Sequence, residues 1–466
     1  MALTPKIINL AKKRKVKKDF RNAASLKGDK KVIRGWVIYD WANSAYQLTI
    51  ATVIFPFYFL SVTTVGSNDV ITFFGHEVIN SVIYSWSVAM AYFLVAGLTP
   101  LLSSLADYTG RRKSFMKFFT WLGALSCGSL FFFDSDFIEI GIIGFTLATL
   151  GYGGSLVYYN SFLPVIAEKK EQDKISARGY SLGYLGGVVL LMFNLLMVMK
   201  PDLFGITSST LPAKISFVTV GLWWIGFAQI TFNKLPKYTF RKRRKDKETN
   251  IFFEGYAELN KVFQKVRKSR RLTTFLLGFF FIMMGLITTM FMAPTYADKE
   301  IGIAQDTLIP ILIGIQLIGM AGAWFFSRLS AKIGNLKALI ISVTIWILVC
   351  SGASAIVNAT EFIVAAFFIG IVMGGTQSLA RSTYSKMIPT NSTEHTSYFS
   401  FYDVMEKLAS VAGTFTFGLI EALTGSMRYS VAAIAIFFII GAIFLSFTLY
   451  FEIHASHAEV EPVKVR

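Results

Sequence analysis

Along the chain, apolar positions gather in long runs. They do not recur as one stripe of an amphipathic helix or alternate as in a half-buried strand. A bilayer crossing takes roughly 20 mostly apolar residues. The pattern predicts twelve such runs, at 36–62, 81–102, 115–133, 137–163, 178–199, 214–233, 272–296, 305–327, 338–357, 361–388, 398–421 and 429–451. An all-α membrane protein with 12 transmembrane helices is expected. The polar stretches divide it into a basic cytosolic tail (1–34), a six-helix half (35–234), a basic linker (235–271), a second six-helix half (272–452) and a C-terminal cytosolic tail (453–466).

The linker has two parts. Arg241, Lys242, Arg243, Arg244 and Lys245 are too charged to enter lipid. After them, Phe252, Phe253, Tyr256, Leu259, Val262, Phe263 and Val266 recur at helical spacing beside Lys261, Lys265, Lys268 and Arg271. That pattern predicts an amphipathic helix lying on a lipid bilayer with an anionic inner leaflet. A solvated tether is the competing reading.

At 54% hydrophobic and 16% charged, the 466 residues do not describe a soluble multidomain protein. A net charge of +18 would suggest nucleic acid in a soluble chain. Here the connections between odd and following even spans hold only Lys200, Lys214, Lys299 and Arg428 of the 46 Lys and Arg residues, which leaves 42 on or near the other side. This positive-inside asymmetry accounts for the charge without nucleic acid and predicts that both termini are cytoplasmic. Cys127 and Cys350 fall inside predicted spans and read as packing residues, and no cleavable signal peptide is expected before Trp36.

The halves resemble each other. Pro56 and Tyr58 in span 1 match Pro294 and Tyr296 in span 7 at an offset of 238. Gly110 and Lys113 match Gly334 and Lys337 at 224, and Pro164 matches Pro389 at 225. The change in offset places about 14 extra residues in the 1–2 connection. Two pseudo-symmetric six-helix halves with a site near the midplane resemble the major facilitator fold.

Between spans 2 and 3, Leu105-Ala106-Asp107-Tyr108-Thr109-Gly110-Arg111-Arg112-Lys113 resembles the major facilitator signature, with Ser103 where a first Gly is usual. Gly110 permits a tight turn. Asp107 is expected to approach the positive N-terminal end of a helix in the other half, so Asp107, Gly110, Arg111 and Arg112 are read as a conformational motif. An ordinary cytosolic basic turn is the alternative. At the start of span 1, Tyr39-Asp40-Trp41-Ala42-Asn43-Ser44-Ala45-Tyr46 resembles one branch of the superfamily. This is the "unknown major facilitator" family, which includes the fungal autophagy-associated vacuolar amino-acid effluxers and many bacterial relatives. The resemblance extends through Ile54-Phe55-Pro56-Phe57-Tyr58, Gly179, Gly183-Tyr184-Leu185-Gly186-Gly187, Arg381-Ser382, Lys407 and Gly413, the last followed by Thr414 where Pro is common.

Asp40, Asn43 and Gln47 share one polar face of span 1. A carboxylate there is costly unless it is paired or faces water, and solvation at headgroup depth competes with a functional role. Arg381 lies near the cytoplasmic end of span 10, and Asp403, Glu406 and Lys407 lie at the start of span 11. With Asp40 they are read as a gate whose opposite charges pair across the halves when the cytoplasmic side closes, and secondarily Arg381 receives a substrate carboxylate. An internal Asp403–Lys407 pair on one helix is the alternative. Spans 1, 4, 7 and 10 line the cavity in the superfamily this chain resembles. By resemblance, Tyr46, Tyr152, Tyr158, Tyr159, Asn160, Thr288, Thr289 and Gln377 are candidates, against a reading as helix packing. The glycines at 151, 153 and 154 and at 374 and 375 permit close helix approach or bending.

Many proton-coupled antiporters carry an Arg in mid-span 4. Here residues 144–150 hold no charge, which leaves Asp40 or Asp403 for coupling to H+ or Na+. Without a Walker loop, energy would come from a gradient. His76, His395, His454 and His457 fall in loops or at the C-terminus, too scattered for a metal site, and no cofactor is expected. The reading is a secondary active transporter of a small polar metabolite working by alternating access, with amino-acid efflux implied by the resemblance. It is expected to be a monomer in a bacterial inner membrane. A membrane-embedded enzyme on lipid-linked substrates and a transporter-like solute sensor are the alternatives. The enzyme would need carboxylates or histidines gathered at one face, where only Asp69, His76, Glu77, Asp134, Asp136 and Glu139 are available.

Overall fold

The computed structural model describes residues 27–64, 70–237, 251–389 and 392–460. The basic cluster at 12–18, the linker run at 241–245, Asp69 and the last six residues lie outside the described residues. In chain order the elements are α1 (Lys30–Thr63), a hairpin of β1 (Val70–Phe73) and β2 (His76–Ile79), α2 (Asn80–Thr109), α3 (Arg112–Ser129), α4 (Ile138–Ile166), α5 (Gln172–Met199) and α6 (Leu211–Lys234). There follow α7 (Ile251–Lys268), α8 (Arg270–Ile301), α9 (Gln305–Ile333), α10 (Asn335–Ala353), α11 (Ala359–Met387), α12 (His395–Thr424) and α13 (Met427–Val460).

Among the described residues, eleven helices are long and apolar enough to cross a membrane. The long helix outside that set is α12, whose 30 residues include Asp403, Glu406, Lys407 and Glu421. In α7, Val262 and Val266 are buried while Tyr256 and Phe263 are exposed, and Lys265, Arg267 and Lys268 crowd its last turn. The histidines are placed in regular structure: His76 in β2, His395 buried as the first residue of α12, and His454 in α13. His76 and His395, expected in loops, stand instead in a strand of the 1–2 connection and in the first turn of a helix that begins ahead of its apolar run, while His454 lies near the C-terminus as expected.

Local chemistry sets the element ends. Asp29 caps α1 by accepting the amides of Lys31 and Val32 at 2.7 and 3.4 Å, and Ser269 caps α8 by accepting that of Leu272. Within α1, residues Tyr46–Ile54 widen into a π-helix. Pro56 supplies the cause, since it has no amide hydrogen and its ring crowds the carbonyl four residues back. The extra residues of the 1–2 connection fold as the hairpin, turned by Phe74 (φ 48°) and Gly75 (φ 80°) with Phe73 opposite His76.

The helices pack as two compact units. The first holds the chain up to Ile175, then Gly186–Asn260 and Ile388–Phe401. The second holds Ser176–Leu185, Lys261–Met387 and Tyr402 onward. A stretch of α5 therefore counts with the second unit and the start of α12 with the first, so the packing units differ from the sequence halves at these two segments.

In the first unit α1 packs on α6, α2 on α4, and α3 on both α4 and α6. In the second, α8 packs on α13, α9 on α11, and α10 on both α11 and α13. The same four pairings recur at corresponding positions, which is the internal repeat expressed as packing. Close approach depends on glycine: a methyl at Gly151 would strike the backbone of Gly123, and one at Gly374 would strike the carbonyl of Gly319. More than half of the apolar stretch is buried in α1, α4, α8 and α11, against a third or less in α2, α9 and α13.

Candidate functional site

Gly110 ends α2 in the left-handed conformation (φ 69°) and turns the chain directly into α3. The turn sets Arg112 against Asp107, with Nε and Nη2 donating to Oδ1 at 2.8 and 2.7 Å. The carboxylate also receives the first turn of α12. The Thr396 amide donates to Oδ1 at 3.2 Å, and the amide and hydroxyl of Ser397 donate to Oδ2 at 2.7 and 2.9 Å. These amides belong to the first turn, where a helix leaves its donors without internal partners and where its dipole favours negative charge. Arg112 Nη2 also donates to the Thr393 carbonyl at 2.7 Å. Both charges are buried, whereas Arg111 is exposed.

On α1, Asp40 is 5% exposed and its Oδ2 accepts the Tyr159 hydroxyl at 2.8 Å. Tyr159 is itself fixed from α1, for its ring stacks on Trp36 at 4.4 Å and its carbonyl accepts the Trp36 indole N–H at 2.8 Å. Asp40 is thus buried and bonded, not solvated at the surface. Asn43 is also buried, and its amide nitrogen has no hydrogen-bond partner among the described residues. Tyr46 shares a hydrogen bond with Thr149 at 2.8 Å and stacks on Trp224, while Gln47 and Asn160 are half-buried.

In the second unit, Arg381 of α11 is 2% exposed. Its Nε donates to Ser176 Oγ at 2.9 Å and its Nη2 to the Ser176 carbonyl at 2.8 Å, with the guanidinium 4.1 Å from the Tyr180 ring centre. One turn before it, Gln377 accepts the Tyr184 hydroxyl. The α5 segment is tied down further by Ser176 Oγ donating to the Ser378 carbonyl and Ser181 to the Met320 carbonyl.

Asp403 and Lys407 of α12 are buried, with Lys407 Nζ 3.8 Å from Asp403 Oδ1 and 2.8 Å from Glu406 Oε1. The internal pair on one helix is therefore present. Thr288 is buried against Gly413, and Thr289 borders a small cavity between α8, α10, α11 and α13. Met292, Val349, Ile369 and Ile434 give that cavity an apolar wall unsuited to a polar solute.

The structure thus brings Asp107 to Arg112 and Asp40 to Tyr159 in the first unit, and gathers Gln377 with Arg381, and Asp403 with Lys407, in the second. Sequence reasoning did not single out Ser176, Tyr180, Thr396 or Ser397. The adjacent hydroxyls of Thr396 and Ser397 just after a polar turn carried a helix-start signal, whereas nothing local marked Ser176, 205 residues from Arg381, or Tyr180 as a partner of that arginine.

Three comparisons bear on this geometry. The MFS-type transporter YxiO of Bacillus subtilis, itself described as uncharacterized, is 28% identical over 414 residues, covering 88% of this chain and 93% of that protein. Autophagy-related protein 22 of Kluyveromyces lactis is 24% identical over 387 residues, covering 77% and 76%. The crystal structure of the major facilitator transporter FucP in its outward conformation superposes with a TM-score of 0.66 at 13% identity, covering 90% of this chain and 97% of that one, and so matches in fold. YxiO and FucP are described as transporters, and the enzyme reading is set aside. The profile of the family described as vacuole effluxer Atg22 like matches residues 28–456, and the chain, a multi-pass membrane protein of the major facilitator fold, belongs to that family.

Proposed function

We propose that the chain exports a small polar metabolite, an amino acid in the first instance, by gradient-driven alternating access, and that Arg381 receives the substrate carboxylate. The observation that carries this reading is the buried guanidinium of Arg381, whose plane is set by Ser176 on one edge and Tyr180 on its face. A planar fork held this way suits bidentate recognition of a carboxylate. Asp40, Asn43, Tyr46, Gln47, Asn160, Gln377, Asp403 and Lys407 complete the substrate path and its gate, and Asp107 with Gly110, Arg111 and Arg112 sets which side is open. Efflux as the direction is supported by the family's description. On this reading both termini face the cytosol of a bacterial cell, as the positive-inside asymmetry favours, α7 rests on the anionic inner leaflet, and H+ or Na+ is the coupling ion. The transporter works as a monomer.

Counterflow in proteoliposomes against a panel of radiolabelled amino acids tests the reading. Wild-type protein should exchange at least one, Arg381→Ala should lose exchange while remaining folded, and Arg381→Lys should retain part of it. Absence of counterflow across the panel, or wild-type flux from Arg381→Ala, overturns it.

A further inference from the structure

We infer that Asp403 is a proton-carrying site, neutral in this arrangement and ionised when Lys407 turns toward it. The inference rests on the reading of the chain as a gradient-driven transporter and names its coupling ion. Asp403 is 3% exposed, and its Oδ2 has no hydrogen-bond partner among the described residues. Its Oδ1 lies 3.8 Å from the Lys407 ammonium, beyond the reach of a charged hydrogen bond, because that ammonium is drawn to Glu406 at 2.8 Å.

The preceding residue of α12 is packed among aromatic rings. The adjacent Tyr402 stacks on Phe279 of α8 with ring centres 4.0 Å apart and lies 5.2 Å from Tyr384 of α11. Tyr402 itself faces Tyr180 of α5 and Arg381 of α11, whereas the charged groups that face Asp403 are Lys407 and Glu406 of its own helix. A carboxylate taken out of water without hydrogen bonds is unstable in its ionised form and takes up a proton instead. A metal cation is a poor competitor, since the ammonium already occupies the cation's place and the site offers few oxygen ligands.

The step involves one proton. When the Asp403 O–H bond breaks, the proton passes to water on the open side, and the new carboxylate draws the Lys407 ammonium away from Glu406. Glu406, with 29% of its side chain exposed, is then hydrated by solvent. Uptake of a proton from the other side reverses the exchange. The switch needs only rotation of the Lys407 side chain, because all three groups stand on consecutive turns of α12.

Infrared difference spectroscopy of the purified protein in lipid nanodiscs reads the site without any substrate. Wild-type protein should show the carbonyl stretch of a protonated carboxylic acid, shifted in heavy water and lost as the pH is raised. Asp403→Asn should remove that band, Asp403→Glu should retain it at a displaced frequency, and Lys407→Met should keep it to a higher pH, since a neighbouring positive charge is gone. A band that survives in Asp403→Asn, or wild-type protein without one, overturns the inference.

In proteoliposomes, an imposed proton gradient should drive accumulation of labelled amino acid by wild-type protein and none by Asp403→Asn, which is locked neutral. Accumulation at the wild-type level would also overturn the inference. If wild-type protein exchanges no amino acid, the substrate reading fails alone and the spectrum still decides the proton site.

Discussion

Replacing Asp107 with asparagine tests what holds the start of α12 in the first unit. The carboxylate accepts two hydrogen bonds from Arg112 and three from Thr396 and Ser397, all in a buried setting. Asparagine preserves the shape but removes the charge and turns one acceptor into a donor facing other donors. Arg112, fully buried, then keeps its charge without its carboxylate partner. Removing one member of a buried ion pair costs about 3 to 5 kcal/mol. At 1.4 kcal/mol per decade, that shifts the balance between docked and released α12 by roughly a hundred- to a few-thousand-fold.

The buried Ser161, whose hydroxyl lies 3.3 Å from that of Thr396, reports on release. In a background carrying Ser161→Cys, with the buried Cys127 and Cys350 replaced by serine, labelling by a membrane-impermeant maleimide should be slow in the parent and faster by a large factor after Asp107→Asn. Equal labelling rates would refute the argument, because the contact would then contribute nothing to docking. Slower labelling would reverse its direction.

Two further perturbations act inside single units. Arg428 joins three connections of the second unit, donating to the carbonyls of Ser354 and Ile356 at 2.9 Å each and to Glu300 at 3.2 Å. Because the ion pair is partly exposed, Arg428→Ala should cost roughly 2 to 3 kcal/mol, mostly through the carbonyl bonds. A lower thermal midpoint in detergent checks this, and an unchanged midpoint refutes it. Gly374→Ala should cost about 3 kcal/mol and reduce the yield of monodisperse protein in size-exclusion chromatography, since α9 and α11 must separate. Gly226→Ala, with open space around it, should leave that yield unchanged or improve it.

The helices were legible because lipid demands long apolar runs, and a run is a one-dimensional signal. Their ends were less so. The run beginning at 178 belongs to a helix that starts at Gln172, because intrahelical hydrogen bonds continue through Asp173 and Arg178 once the chain leaves the hydrocarbon. The hairpin at 70–79 escaped notice because its strands have four residues each and Phe74-Gly75 is not a usual turn pair. The π segment of α1 had a visible cause in Pro56, but nothing in the sequence said whether the helix would widen, kink or stop there. The turn at Asp107 was readable because a short motif encodes it. The cradle of Arg381 was not, for it is assembled from residues on α5 and α11 that become neighbours only in the folded chain.

The two segments that change packing partner share a chemistry that explains why they, and not others, do so. Ile388–Phe401 is held in the first unit by Asp107, Arg112 and the hydroxyl of Ser161. Ser176–Leu185 is held in the second by Arg381, Gln377 and two carbonyls. Polar contacts of this kind exchange for water at a net cost of about 0.5 to 1.5 kcal/mol each between neutral groups and about 1.5 to 3 kcal/mol where one group is charged. Contacts within a unit, such as α9 on α11 at Gly319 and Gly374, are backbone-close and lose their packing outright on separation. The alternating access proposed above would work contacts of the first kind and leave those of the second intact. The distribution of glycine and of hydroxyl and charged side chains over these helices separates the two.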